Sequence, residues 1–269
     1  MCFKKWFGNN NIAGPPDFTN NTVVSIVCGN YPGTANDLAG PSNDQVDFEK
    51  AVLKIWPYYT FRKFKNSQAT RERFLSELRS IVSRMKPDDL LLFIMDTCFS
   101  ESNTRVIAPP NVLQNRVYHN PKYPVHKKIV NKILSPTSGL NYIAMSACRD
   151  HETAADAVFN GRANGAYHFA LMQTMKKGIT YRQWDELAAK ELKRLGFSHV
   201  CTIEGPDKLL DRQIFEGTVY CFEISSHGSH VYDESGDEPD QQDEGPYLYD
   251  GMIVDDQIAD ILKDLPVLT

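Results

Sequence analysis

An uninterrupted apolar run from Leu90 to Met95 is the clearest feature of the hydrophobic pattern. It stands between two acids and the triplet Asp96-Thr97-Cys98. Such a run predicts a strand buried on both faces of a parallel sheet. Other apolar runs predict strands at 22–28, 58–64, 140–146, 200–203 and 218–224. Helical spacing predicts helices at 44–55 (capped by 42–44), 165–177, 181–195 and 255–265, and one more between its cap Thr70 and Pro87.

Strands that alternate with helices predict an α/β fold, here a three-layer α/β/α sandwich around a mostly parallel sheet. Residues 1–21 are polar and rich in proline, glycine and asparagine, which predicts an irregular lead-in. No internal repeat or long linker divides the remainder, so we expect one domain over 22–269, with a last strand and an acidic loop within 218–269. Segment 103–138 is rich in proline and basic residues, and we expect a long loop there that is either functional or exposed.

The composition restricts the kinds of molecule that this protein is expected to bind. The chain has 269 residues, 42% of them hydrophobic and 23% charged, and its net charge of −5 gives no electrostatic reason to expect a nucleic acid. Its six cysteines are scattered without paired spacing, which indicates a reducing compartment, and no apolar run reaches transmembrane length. We therefore expect a cytoplasmic monomer with no nucleic-acid or membrane partner.

Two of the predicted strands lead into reactive side chains, Cys98 and His227. The carboxyl ends of parallel strands meet at the edge where α/β proteins bind ligands, so neighbouring strands would bring the thiol and the imidazole together. A Cys–His pair supports nucleophilic catalysis by the thiol, and the N–H groups of Gly228 and Cys98 could hold the oxyanion. The alternative for Cys98 is an inert, buried thiol.

Six stretches resemble the signature sequences of metacaspases, a family of caspase-like cysteine peptidases. They are NYPGTANDLAGPSND (30–44), DTCFSES (96–102), SACRDHETAADA (146–157), SSHGS (225–229), GDEPDQQDE (236–244) and GMIVDD (251–256). The order differs from that family, because the histidine segment here follows both the cysteine strand and a small-subunit-like region. The resemblance therefore implies a caspase-like sandwich of permuted connectivity, in which the strand at 218–224 lies between those at 22–28 and 90–95.

The same resemblance implies a cysteine endopeptidase that cleaves protein or peptide substrates after Arg or Lys. It makes Cys98 the nucleophile and His227 the general base and acid. It also makes Asp44, Asp96 and Ser225 the lining of the pocket for the residue before the cleaved bond, where two carboxylates suit a cation. The alternatives are a helix N-cap for Asp44 and a plain strand-end acid for Asp96.

Many metacaspases need calcium, and the matching positions here are Asp243, Asp255 and Asp256. Clustered carboxylates are the ligands that this hard cation prefers. The alternative is a solvated acidic loop in which Asp255 caps the last helix. Arg105 stands where the family usually has an acid, and this difference argues against calcium dependence.

Activation in this family often involves cleavage after a basic residue between the subunit-like regions. The predicted site is Lys127 or Lys128, among the candidates Arg105, Arg116, Lys122, Lys127, Lys128 and Lys132. Three positions, Phe99, Ser226 and Arg105, differ from the usual family residues. These differences leave open a second function, that of a catalytically inactive caspase-like domain that binds a partner. An α/β hydrolase is disfavoured because the chain has no G-x-S-x-G motif.

Overall fold

The computed structural model describes residues 21–97, 110–118, 141–149, 152–232 and 242–267. This part of the chain forms twelve strands and six α-helices. The strands are β1 (Thr22–Val27), β2 (Thr60–Lys65), β3 (Leu90–Asp96), β4 (Val112–Asn115), β5 (Tyr142–Ser146), β6 (Ala155–Phe159), β7 (Arg162–Gly165), β8 (Thr202–Glu204), β9 (Val219–Ser225), β10 (His227–Tyr232), β11 (Gln242–Leu248) and β12 (Gly251–Met252). The helices are α1 (Pro41–Ile55), α2 (Arg71–Val82), α3 (Ala166–Thr174), α4 (Tyr181–Arg194), α5 (Asp207–Leu210) and α6 (Asp255–Leu262). None of these helices has both the length and the apolar character that a membrane crossing requires.

Six of the strands form the central sheet, in the order β2-β1-β9-β3-β5-β8. β8 is antiparallel to β5, and the other neighbours are parallel. β9 comes late in the chain and yet lies between β1 and β3, as the permuted motif order predicts. The register pairs Ser225 with both Val27 and Asp96, so the three strands end at the same edge of the sheet.

Apolar side chains pack on both faces of the central sheet. Along β3, Leu92 and Ile94 face one core while Leu91 and Phe93 face the other, as the alternation of side chains in a strand requires. The first core includes α1, α3 and α4, and the second includes α2 and α6. The fold is therefore the predicted three-layer α/β/α sandwich.

The starts of two helices show where the sequence prediction of caps succeeds and where it fails. Thr70 caps α2, because its Oγ1 accepts a hydrogen bond from the N–H of Arg73 at 3.2 Å. By contrast, α1 begins at Pro41 with Gly40 as its N-cap, so the prediction of a cap at 42–44 is wrong. Proline suits a first helical position because it has no N–H to leave unbonded. Asp44 therefore lies inside the first turn of α1.

Two small sheets, β4-β6-β7 and β10-β11-β12, have no counterpart in the sequence prediction. β4 falls inside segment 103–138, for which the sequence predicts a functional or an exposed loop. In its described part, 110–118, the alternative of an exposed loop is wrong, since β4 pairs antiparallel with β6 and Arg116 is fully buried. β4 alternates between half-buried and exposed residues, so no apolar run marks it in the sequence. β10 begins at His227, one residue after the end of β9.

Candidate active site

A buried arginine occupies a pocket at the carboxyl edge of the central sheet. Arg116 follows β4, and its guanidinium is completely excluded from solvent. Its Nη2 donates to Asp44 Oδ2 at 2.7 Å and to Asp156 Oδ1 at 2.8 Å. Its Nη1 donates to Ser225 Oγ at 2.7 Å and to the backbone oxygen of Asp96 at 3.0 Å, and lies 3.4 Å from the Asp96 carboxylate. Three carboxylates thus share one guanidinium.

The structure brings together the three residues that the sequence places in this pocket. Asp44 comes from the first turn of α1, Asp96 from the end of β3 and Ser225 from the end of β9. Asp44 is not an N-cap, and Asp96 is more than a plain strand-end acid, because both carboxylates bind the guanidinium. The sequence analysis missed Asp156 on β6, and it named Arg116 only as one of several basic residues of 103–138, not as part of this pocket. Asp156 could have been noticed because it is an acid between two alanines, inside the stretch 146–157 that resembles a family motif.

Two glycines allow the carboxylates to approach the guanidinium closely. A Cβ atom at Gly40 would lie 2.0 Å from Asp156 Oδ1, and one at Gly165 would lie 2.0 Å from Asp96 Oδ2. The N–H of Gly40 also donates to Asp156 Oδ2 at 2.9 Å, and that of Gly165 donates to Asp44 Oδ1 at 3.0 Å. The backbone at these two positions therefore forms part of the pocket wall, and any side chain there would displace a carboxylate.

A buried histidine lies behind Asp96. His168 Nδ1 is 3.1 Å from Asp96 Oδ2, and its Nε2 is 2.8 Å from Glu223 Oε1. Burial by itself would lower the pKa of His168, but the contacts with Asp96 and Glu223 outweigh it and raise that pKa to about 10. Burial alone would raise the pKa of Asp96, yet Arg116 and His168 hold it at about 2. Arg116, Asp96, His168 and Glu223 thus form a row of alternating charge.

His227 lies beside the pocket with its tautomer set by a backbone contact. Its Nε2 is 2.6 Å from the carbonyl oxygen of Asn36, which can only accept a hydrogen bond, so Nε2 carries the proton. Nδ1 then holds the lone pair. The ring packs on Tyr31 at a centroid distance of 4.9 Å. Burial lowers the pKa of His227, so the imidazole is neutral at pH 7 and can accept a proton at Nδ1.

The backbone of Arg116 is held as firmly as its side chain. Its N–H donates to the carbonyl of Ala154 at 3.0 Å, and its own carbonyl accepts from the N–H of Gly228 at 2.9 Å. Gly228 is the residue whose N–H the sequence analysis proposed as an oxyanion donor. The N–H of Tyr118 donates in turn to the Gly228 carbonyl at 2.8 Å. The Arg116 carbonyl oxygen therefore already accepts the Gly228 N–H that was predicted to stabilise the oxyanion.

Several predicted residues lie outside the described residues: Cys98, Phe99, Arg105, Lys127 and Lys128. The pairing of Cys98 with His227 therefore stays a prediction. It is supported by the register of the sheet, because the strands that lead to the two residues end side by side. Ser226, which replaces a family glycine, is buried and its Oγ donates to the His227 carbonyl at 2.8 Å.

The predicted calcium ligands lie on the small sheet and on the last helix. Asp243 is buried on β11, and Asp255 and Asp256 occupy the first turn of α6. The N-cap of α6 is Val254, so the alternative that Asp255 caps this helix is wrong. Calcium binding at these three residues stays a prediction.

Among the described residues, one group of acids and histidine lies close enough to share an ion, namely Asp44, Asp96 and His168. Their ligand atoms lie within 4.8 Å of one another. However, Arg116 already contacts both carboxylates and the raised pKa of His168 keeps its ring protonated, so positive charge is supplied from within the protein. This group is therefore better suited to a guanidinium than to a metal ion.

Comparison with known proteins adds little to this geometry. No family model matches the chain, and no curated protein matches it. A crystal structure of a Geobacter sulfurreducens protein, solved as a structural genomics target, is similar over 72% of this chain and 98% of its own, at 11% identity and a TM-score of 0.49. So low a similarity carries no argument about function.

Proposed function

We propose that this chain is a cysteine endopeptidase of the metacaspase type, which cleaves peptide bonds after arginine or lysine through Cys98 and His227. The observation that carries the proposal is the way Arg116 is bound. Its guanidinium fills an acidic pocket while its carbonyl accepts from the N–H of Gly228, beside a neutral imidazole. A site that binds the chain's own arginine in this manner has the acceptors to bind a substrate arginine in the same way.

The pocket favours arginine over lysine on geometric grounds. It offers acceptors to both Nη atoms, including Ser225 Oγ and the Asp96 carbonyl as well as carboxylates. A guanidinium presents five donors in a fixed plane, whereas an ammonium presents three from a single point, so lysine would leave some buried acceptors unpaired. An acidic side chain would meet three carboxylates and be repelled. We expect the order of turnover to be arginine, then lysine, with no turnover after aspartate.

The proposed mechanism assigns one role to each group. His227 Nδ1 takes the proton from the Cys98 thiol, and the thiolate attacks the carbonyl carbon of the substrate arginine. The N–H of Gly228 stabilises the negative charge that develops on the carbonyl oxygen. The C–N bond breaks as the imidazolium gives its proton to the leaving amine. A water molecule deprotonated by His227 then hydrolyses the thioester, which releases the new carboxylate and restores the thiol. The Asn36 carbonyl keeps the other ring nitrogen protonated throughout.

A second candidate function is a binding domain without catalysis. It is favoured by the same pocket, because Arg116 fills it completely and leaves no space for a partner's side chain until 110–118 moves. In that case the three carboxylates serve only to hold the segment in place. The peptidase needs the Cys98 thiol, whereas the binding domain does not.

Turnover of short peptides separates the two functions. We would measure cleavage of peptides that differ only in arginine, lysine or aspartate before the reporter bond, with and without calcium. Cys98→Ala should abolish turnover, while Cys201→Ala, a buried cysteine packed near Asp185, should retain it. Turnover that survives Cys98→Ala would contradict the proposal. No turnover of any peptide, with or without calcium, would support the binding domain.

A further inference from the structure

A cleft of about 920 Å³ opens between α1, the carboxyl end of α3 and the turn that joins β6 to β7. Its volume falls in the range of about 300–1,000 Å³ that is typical of small-molecule sites. Neither Arg116 nor any of the three carboxylates that bind it lines this cleft. The cleft is therefore a second cavity, separate from the candidate active site.

The floor of the cleft is apolar. It is formed by Ile55, Phe159, Phe169, Met172 and Met175. Phe159 and Phe169 stack on each other with ring centroids 4.0 Å apart and an interplanar angle of 8°, so one face of each ring is already covered. Methionine side chains are flexible and adapt to the shape of what they contact. Such a floor suits a flexible hydrocarbon chain better than a flat aromatic ring.

Four lysines surround this floor: Lys50, Lys54, Lys176 and Lys177. The first two lie four residues apart on α1 and therefore on the same face of that helix, and the other two follow the end of α3. All four are exposed, and none of them forms an ion pair within the part of the chain that the structure describes. The cleft thus offers positive charge from two elements to whatever enters it.

The one acid among the described lining residues is already neutralised. Asp47 accepts from Arg162 Nη1, and at 3.2 Å from Nδ2 of Asn164. The lining therefore carries a net positive charge, although the whole chain carries a net charge of −5. A concave surface with charge of one sign attracts ligands of the opposite sign.

We propose that this cleft binds a fatty acid, whose carboxylate lies among the lysines and whose chain covers the apolar floor. The face of α1 from Asp47 to Ile55 is about 12 Å long at 1.5 Å per residue, so a chain of medium length can lie along it. Lysine stems add apolar surface beside the chain while their charged ends stay in water. Binding requires neither Cys98 nor His227, so this inference goes beyond the proposed function and does not depend on it.

Isothermal titration calorimetry with decanoate, at concentrations too low for micelles, tests the requirement for negative charge. We expect decanoate to bind at one site per chain. Decyltrimethylammonium has the same hydrocarbon chain and the opposite charge, and should bind at least about tenfold more weakly because it meets four lysines. Equal affinity for the two amphiphiles would overturn the inference.

Octanoate tests the contribution of the apolar floor. It has two methylene groups fewer than decanoate, and each buried methylene lowers Kd by about three- to fourfold. The Kd of octanoate should therefore be on the order of tenfold higher than that of decanoate. Affinities that agree within about twofold would show that the chain is not buried, and would overturn the inference.

Paired lysine variants test the position of the carboxylate. Lys50→Gln/Lys54→Gln should raise the Kd of decanoate on the order of tenfold, as the loss of two exposed ionic contacts predicts. The matched control is Lys190→Gln/Lys193→Gln, which removes two exposed lysines of α4 that do not line the cleft, and should bind as the wild type does. Urea unfolding of both variants should match the wild type, since all four side chains are exposed. An unchanged Kd in the first variant would contradict the proposed site.

Methyl NMR of the methionines locates the bound chain without any substitution in the cleft. The signals of Met172 and Met175 should shift as decanoate is added. Those of Met85 and Met95, which pack in the core on the other face of the central sheet, should stay in place. Shifts at Met85 and Met95 without shifts at Met172 and Met175 would overturn the inference, and so would equal shifts at all four.

Two other kinds of occupant would give different results in the same titrations. Hexaglutamate offers negative charge without a hydrocarbon chain, and vesicles of phosphatidylserine offer both in a bilayer. We expect hexaglutamate to bind far more weakly than decanoate. Hexaglutamate that binds as tightly as decanoate, or vesicles that bind a chain to which decanoate does not, would overturn the inference. None of these measurements uses peptidase activity, so each outcome leaves the proposed function to be judged by peptide turnover.

Discussion

The pocket that Arg116 fills and the open cleft on the same side of the central sheet each contain an arginine paired with aspartate. The two regions differ in how far water reaches these charges. The cleft, about 920 Å³ in volume, lies among α1, α3 and the turn between β6 and β7. Apolar side chains such as Phe159 and Phe169 form part of its wall, and Lys50, Lys54 and Lys176 line it. Its ion pair between Arg162 and Asp47 is 40% and 23% exposed, whereas every charged side chain around Arg116 is fully buried.

The difference shows that the open cleft and the candidate active site are separate places in this molecule. The cleft is open and accessible, yet neither His227 nor Gly228 lines it. The candidate active site instead holds the chain's own Arg116, whose side chain is fully buried. Buried ions depend on their partners far more than exposed ions do, so substitutions in the two regions should have effects of different size.

The largest expected effect is the loss of stability in Arg116→Gln. Removing the guanidinium leaves three buried carboxylates without their cation, which we expect to cost about 3–5 kcal/mol in the free energy of unfolding. Arg162→Gln in the cleft breaks an ion pair that water already screens, and should cost less than about 1 kcal/mol. Urea unfolding of both variants measures the contrast. Equal costs would show that the pocket does not depend on its arginine.

The next effect concerns His168, whose pKa of about 10 in the folded protein lies above its ordinary value of 6.5. The folded state therefore holds a proton that the unfolded state releases between these values. The proton's contribution to stability is complete below pH 6.5 and is lost as the pH rises towards 10. In His168→Gln, the decline in the free energy of unfolding over this window should be shallower by roughly 1 kcal/mol per pH unit. Urea titrations at several pH values measure the slope, and Arg162→Gln should keep the wild-type decline.

A third, smaller effect is expected on substrate binding in Asp156→Asn. In the proposed peptidase the substitution would remove one of three charges around the substrate arginine, so KM for an arginine peptide should rise on the order of tenfold, as the loss of one charged hydrogen bond predicts. Glu49→Gln, which removes an exposed acid paired with Lys63, should leave KM within about twofold of the wild type, as expected for an exposed ion pair. Steady-state kinetics on arginine and lysine peptides provides both values. A KM unaffected by Asp156→Asn would remove that residue from the pocket's function.

The smallest effects are expected in the cleft. Lys50→Gln and Lys176→Gln alter exposed charges that no pocket residue contacts, so each should change the free energy of unfolding by less than about 0.5 kcal/mol. Peptide turnover should be unchanged as well. A clear loss of turnover in either variant would mean that the cleft takes part in substrate recognition, and would weaken the contrast between the two regions.

The architecture was largely predictable because its evidence is local. The apolar run of β3 and the helical spacing after Thr70 each identify an element without knowledge of the rest of the chain. The motif order also predicted that β9 would lie between β1 and β3. The small sheets were missed because strands such as β4 carry half-exposed residues and so leave no distinct pattern.

The site was predictable only in part, because the charged residues that pair with one another there are far apart in the sequence. Asp44, Asp96 and Ser225 stood in recognisable stretches, but nothing near Arg116 distinguishes it from the other basic residues of 103–138. Its burial depends on acids contributed by α1, β3 and β6. The same holds for His168, whose protonation depends on Asp96 and Glu223 from two different strands. Several buried acids at one edge of a sheet require a cation near them. That requirement was the one clue in the sequence that a basic residue would be buried at this site.

The position of β9 has a consequence for the order in which parts of the protein are synthesised and fold. A ribosome releases β1 and β3 long before the strand that belongs between them, so the sheet of the growing polypeptide lacks its centre until residues 219–225 have been synthesised. Such late, long-distance strand insertion slows folding. It also means that Cys98 of the proposed peptidase is synthesised well before His227, so the proposed catalytic pair cannot form until the segment after β9 has been made.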